Sequence, residues 1–124
     1  MKVIDVKTLK GSDRDVKFTG GNSLRPVLKS DGMGFGICET HIPKGEANFW
    51  HYPNHLESCY CISGKGILKD LETGEIYNIY PGVIYSLNDH QRHTFKAITD
   101  VILISVFNPP LRGDEKHDKN GIYK

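Results

Sequence analysis

No stretch of this 124-residue chain repeats apolar residues at helical spacing for more than about two turns. That excludes a helical bundle and a sheet sandwiched between helices. No run approaches the roughly 20 apolar residues of a membrane span, and the start, MKVIDVKTLKG, has no apolar core of signal-peptide length. The sequence therefore predicts a soluble, cytoplasmic protein without a membrane partner. An excess of one charge is missing too: 16 Lys+Arg against 15 Asp+Glu leave a net charge of +1. Such a balance lacks the electrostatic footprint of a nucleic-acid binder, so a partner has to be argued from a site. Cysteine is scarce and odd in number, Cys38, Cys59 and Cys61, which argues against a disulfide framework in a chain without an export signal. Cys59 and Cys61 share one face of a strand, either as small buried hydrophobes or as a pair for a soft metal.

What is present is a series of short β-prone runs divided by Gly and Pro. Residues 3–6, 23–28, 35–42, 47–52, 56–62, 67–71, 75–80, 83–87, 93–97 and 101–107 read as strands. The segment KGSDRDVKFTGGN between the first two reads as an exposed loop. Turns fall at Lys29-Ser30-Asp31-Gly32, Gly64-Lys65-Gly66, Glu72-Thr73-Gly74 and Pro81-Gly82. The fold class is all-β, a barrel or sandwich in one domain of residues 1–124, with 1–22 as N-terminal strand and loop. Pro109-Pro110 ends the last strand. The tail 109–124 is polar yet carries Glu115, His117 and Tyr123, so it is either a solubilising end or a cover that closes over a pocket.

The most ordered pattern lies between Gly45 and His93. From Gly45, five residues lead to His51, five more to Glu57, and six more to Gly64; His93 then stands eleven residues after Gly82. This spacing resembles the two motifs of the cupin barrel, a double-stranded β-helix or jelly roll. Pro53 occupies the slot of the usual second histidine, which leaves His51 without its partner. Alternation along strands puts Glu57, Cys59 and Cys61 on one face, and Val83, Tyr85 and Leu87 on one face of another strand. If those faces look inward, Glu57, Tyr85 and His93 can meet and offer two oxygens and a nitrogen to a divalent ion, a set that suits iron and tolerates manganese or zinc. Tyr85 reads equally well as a core aromatic. His41, His55 and His90 read as turn or surface histidines. Arg25 is either a solvated charge or, inside an apolar strand, a bidentate clamp for a carboxylate.

HYPNHLESCYCISGKG, YPGVIYSLNDHQRHTF and VFNPPLRGDEKHD together resemble the ectoine synthases, a family of cupin enzymes, from Arg25 onward. The resemblance implies a homodimer that closes N-γ-acetyl-L-2,4-diaminobutyrate to the compatible solute ectoine with loss of water. It implies Fe2+ held by Glu57, Tyr85 and His93, with Zn2+ or Mn2+ as substitutes, and Arg25, Thr40, Tyr52, Phe107, Glu115 and His117 around the substrate. Ring closure needs a neutral amine, a polarised amide oxygen and proton carriers, for which Glu115 and His117, with Tyr52, are the candidates. The chain departs from the family pattern at Gly21 (a tryptophan), Cys38 (an asparagine) and Ser105 (a cysteine). Those departures keep two other readings open: a cupin that binds a small molecule without turnover, and an enzyme for a related acylated diamino acid.

Overall fold

The computed structural model describes residues 1–122. Among the described residues ten strands form two antiparallel sheets: β1 (Asp15–Phe18), β2 (Gly21–Val27), β3 (Gly36–Ile42), β4 (Asn48–Trp50), β5 (Leu56–Ser63), β6 (Gly66–Asp70), β7 (Ile76–Ile79), β8 (Ile84–Leu87), β9 (His93–Ala97) and β10 (Val101–Asn108). One sheet has the order β1-β2-β3-β10-β5-β8 and the other β4-β9-β6-β7. The helical pieces among the described residues are two 3-10 turns, Val6–Leu9 and Lys29–Asp31.

Strand parity builds the core. In β10, Val101, Leu103, Ser105 and Phe107 are buried while their neighbours face outward; β5 buries Glu57, Cys59 and Cys61, and β9 buries His93, Phe95 and Ala97. The two sheets meet through rings. Phe18 packs edge-on to Trp50 at 5.9 Å, and Tyr85 stacks on Phe95 at 6.3 Å. Burying a ring such as Phe95, which is wholly enclosed, contributes about 2 kcal/mol. The three thiols are free and buried, and burial pushes the Cys38 thiol up to about 12.

The N-terminal region differs from the sequence reading in two ways. Residues 3–6 form no strand: Val3 is exposed, and Asp5 caps the turn Val6–Leu9 by accepting the Lys7 N–H at 3.0 Å. The polar segment expected to be a loop contains β1, paired with β2 so that Phe18 faces Gly21. Its charged residues hid the alternation of Val16 and Phe18, whereas Thr19-Gly20-Gly21 was a legible hairpin turn, with Gly20 at φ +94° where L side chains are strained.

Proline shapes β2. Pro26 has no N–H for the ladder, and the β2–β3 register shifts between Leu24 and Val27. Here the Arg25 N–H turns to the Arg14 carbonyl at 2.9 Å. Ser23, Leu24 and Arg25 are all buried, Arg25 completely. Beyond β10 the tail folds back over the barrel. Lys29 donates to the Leu111 carbonyl at 2.8 Å, and the His51 N–H donates to the Gly121 carbonyl at 2.8 Å. Tyr123 lies outside the described residues.

Candidate active site

Between the sheets lies a narrow cavity of about 10 Å³, room for about one water. Glu57 and Tyr85 face it from β5 and β8, Thr40 and Phe107 from β3 and β10, Tyr52 from the segment after β4, and His117 from the tail. Burial pushes the Glu57 carboxyl up to about 7, against hydrogen bonds from Cys59 and Ser105 that favour its charged form. Burial likewise raises the Tyr85 phenol well above its ordinary value, with the neighbouring Cys59 and Glu57 adding to the shift. Thr40 and Ser105 share a hydroxyl hydrogen bond of 2.9 Å on the adjoining wall.

His93 stands beside this cavity. Its ring is 5.6 Å from that of Tyr52 and 6.4 Å from that of Trp50, and with Tyr85 it lines a second cavity of about 270 Å³ on the side where β7 and β8 are sheet edges. Its Nδ1–H donates to the Gln91 carbonyl at 3.0 Å, which fixes the tautomer. Nε2 is buried and has no hydrogen-bond partner among the described residues. Burial lowers the His93 pKa to about 4, so the ring is neutral with a lone pair at Nε2. A buried carboxyl without a cation and an unsatisfied imidazole nitrogen are what a divalent ion would satisfy. Among the described residues no three of His, Cys, Asp and Glu cluster for an ion, so a site here depends on the Tyr85 oxygen.

The tail contributes the other half of the cavity. His117 Nε2 and the Tyr52 hydroxyl share a hydrogen bond of 2.8 Å. The His117 ring stacks on Trp50 at 4.9 Å and meets the Phe18 ring edge-on at 4.6 Å. Burial first, then repulsion from His93 whenever that ring is protonated and from the Arg25 guanidinium, lower its pKa to about 3, so the imidazole is neutral. Glu115 is held differently. Its burial favours the acid form, but the N–H groups of Arg112 and Gly113, at 2.9 Å each, outweigh that and keep it ionised. Arg25 lies behind the cavity wall, with Nε donating to Ser23 Oγ at 2.7 Å and a terminal nitrogen to the Gly113 carbonyl at 3.1 Å. Arg25 and Glu115 thus grip the two ends of the same stretch of tail backbone.

A family model described as ectoine synthase matches residues 1–124. The L-ectoine synthase of Desulfosudis oleivorans is 46% identical over 125 residues, covering 100% of this chain and 97% of that protein. The chain belongs to the ectoine synthase family. With that family it is an enzyme of the hydro-lyase class. The L-ectoine synthase of Alkalilimnicola ehrlichii is similar as well, at 45% identity over 99% of this chain and 94% of its own length. The crystal structure of ectoine synthase from P. lautus superposes with a TM-score of 0.87 at 37% identity, covering 91% of this chain and 81% of that one. A Cupin_2 domain of an XRE family transcriptional regulator from Enterobacter cloacae matches at TM-score 0.59 and 17% identity over 73% of this chain and 98% of its own, a likeness of fold alone. The barrel of this ectoine synthase family member is a cupin.

Of the three histidines read as turn or surface residues, one lies elsewhere: His90 is in the β8–β9 turn and His41 is partly exposed, but His55 is not. His55 is buried, contrary to a surface reading, because its Nδ1–H donates to the Pro109 carbonyl at 3.0 Å and its ring packs on Phe107. His90 adopts φ 53° and its Nδ1 reaches the carbonyls of Tyr52 and His55 at 2.9 and 3.0 Å, fixing the loop that leads to Glu57. His41 is partly exposed and bonds to Glu39 at 2.8 Å. Arg25 is not a solvated charge. Phe18 and Trp50, which line the cavity, went unrecognised; the hairpin signal FTGG and the sole tryptophan beside His51 were the available cues.

Proposed function

We propose that this chain closes N-γ-acetyl-L-2,4-diaminobutyrate to ectoine in the cavity between its sheets. The observation that carries this reading is the convergence of Glu57, Tyr85 and the Tyr52–His117 pair on one water-poor cavity in a member of this family. In the reaction the amine nitrogen bonds to the amide carbonyl carbon, and the former carbonyl oxygen leaves as water with the two amine hydrogens.

Glu57, Tyr85 and His93 would hold a divalent ion, Fe2+ in our reading, and Zn2+ or Mn2+ fit the same donors. When bound, such an ion supplies Lewis acidity for the amide oxygen. The remaining roles belong to side chains. Arg25 fixes a positive charge at the β2 end of the cavity, which favours the substrate carboxylate. Thr40 and Ser105 present hydroxyls to the substrate, and Phe107 packs edge-on to Tyr52 at 6.1 Å to hold its ring. Tyr52 and His117 hold and move a proton between Oη and Nε2, the neutral imidazole accepting what the amine releases. Glu115 anchors the tail, which excludes water from the cavity and must open for the substrate to enter.

We infer a homodimer from the outer face of the six-stranded sheet, where exposed Tyr60 lies between its cross-strand neighbours Ile84 and Ile104. No helix of the described residues is long and apolar enough to cross a membrane, which accords with a cytoplasmic enzyme. The test is conversion of the acetylated diamine by metal-analysed protein, followed by proton NMR. Ectoine formation by the Fe2+-loaded protein supports the reading; binding of ectoine without turnover returns the chain to a binding module, and turnover only of a related acylated diamino acid reassigns the substrate.

A further inference from the structure

Phe18 ends β1, and its partner across the hairpin is Gly21. A Cβ at Gly21 would stand 2.3 Å from the His41 carbonyl oxygen and 3.2 Å from the Phe18 ring. The backbone of β3 therefore excludes a side chain at 21, and the Phe18 ring covers that part of the wall instead. From there it faces the cavity. Phe18, Trp50 and His117 form a triangle of rings, with centroid separations of 5.9 Å, 4.9 Å and 4.6 Å.

We propose that Phe18 is the specificity-determining wall of this cavity: its ring contacts the substrate and limits the length of chain that fits. This rests on the ring-closure reading above and adds the residue that sets the substrate's size. Three observations support it. Phe18 is half-buried, so its ring stands between the cavity and the surface. Phe18 is the β1 residue that lines this cavity, and the glycine opposite it offers no side chain in its place. The free space is about 10 Å³, so the substrate is admitted only as the rings that line the cavity, Phe18 among them, give way to it. An aromatic ring also suits the ligand chemistry, since it packs on methylenes and its face attracts the positive charge that a cyclic amidine carries when protonated.

The experiment compares wild type, Phe18→Ala and Phe18→Leu on N-acetyl and N-propionyl diaminobutyrate, and on an acetylated diamine lengthened by one methylene in its backbone. Trp50 is the sole tryptophan and lines the same cavity, so its fluorescence reports ectoine binding without turnover. Phe18→Ala is expected to raise KM for the acetyl substrate about tenfold, with a smaller fall in kcat, and to weaken ectoine binding in parallel. The preference of kcat/KM for the acetyl substrate over at least one longer analogue narrows by about tenfold, the discrimination that one methylene provides in a tight pocket. Phe18→Leu falls between the two and stands in where the alanine variant does not fold. Equal losses on all substrates, with the preference unchanged, mean a merely structural ring and overturn the proposal, as do folded variants that match wild type. A wild type that neither turns over the acetyl substrate nor binds ectoine instead overturns the ring-closure reading, and the substrate assigned to Phe18 goes with it.

Discussion

The Tyr52 hydroxyl and His117 Nε2 stand 2.8 Å apart although 65 positions separate them in sequence. The bond joins the segment after β4 to the tail, so the pair proposed to handle the proton exists only when the tail is seated. Tyr52→Phe keeps the ring packing on Phe107 and His93 and removes the hydroxyl alone. It is expected to lower kcat about a hundredfold with little change in KM, the usual size of a lost acid–base contribution. Steady-state kinetics at saturating metal check this. A variant with unchanged kcat would move the proton chemistry to another group.

His117 also makes a prediction about stability. Its folded pKa is depressed to about 3 from an ordinary 6.5. Above 6.5 both states are neutral at this position and its contribution is complete. As pH falls from 6.5 toward 3 the unfolded chain takes up a proton that the folded chain refuses, so stability declines. Unfolding free energies from urea titrations at pH 7.5, 6 and 5 should therefore fall less steeply for His117→Gln than for wild type, by up to about 1.4 kcal/mol per pH unit. Parallel slopes would mean that the ring is protonated in the folded state or reached by water.

The metal-ligand assignment separates two sets of residues. Glu57 and Tyr85 face the cavity, and His93 offers a buried Nε2 with no other partner among the described residues. His51 is half-buried, lines neither cavity among the described residues, and is tied to the tail by its backbone. Glu57→Ala, Tyr85→Phe and His93→Ala should each abolish stoichiometric iron binding in elemental analysis, and His51→Ala should retain it. Loss in His51→Ala together with retention in Tyr85→Phe would restore the ordinary cupin histidine set.

How far the sequence foretold these positions depends on what set each one. Glu57 and Tyr85 were legible because strand parity alone decides which face they take, and β5 and β8 carry no irregularity between them across Glu57–Tyr60. The strand His93–Ala97 was legible to the residue, since its buried and exposed positions alternate without interruption. Arg25 was half legible. Its strand could be read, but its complete burial involves the tail, where it donates to the Gly113 carbonyl 88 positions away, a contact no alternation pattern contains. His55 was misplaced because its partner is the Pro109 carbonyl, 54 positions away. Phe18 was lost among Asp15, Lys17 and their charged neighbours, where a short strand looks like a loop until its partner is known.

The last prediction concerns what Glu115 does. Its two oxygens accept separate backbone bonds, one from Arg112 N–H and one from Gly113 N–H, both at 2.9 Å. Its pKa is depressed below 4.5, so this anchor is complete above that value and is lost as pH falls through the lower folded pKa. Glu115→Gln retains one acceptor but turns an NH2 group toward a backbone N–H, donor against donor. An unmade bond to a buried donor costs about 1 to 3 kcal/mol, enough to raise local opening of the tail roughly tenfold or more. Hydrogen exchange should show that increase in amides 111–118 while the β5 and β10 amides stay protected. The same variant should raise KM more than it lowers kcat, because the Tyr52–His117 pair is intact whenever the tail closes. If kcat instead collapses while tail exchange is unchanged, Glu115 is a proton carrier and the tail is held by its other bonds, from Arg25 to Gly113 and from Lys29 to Leu111.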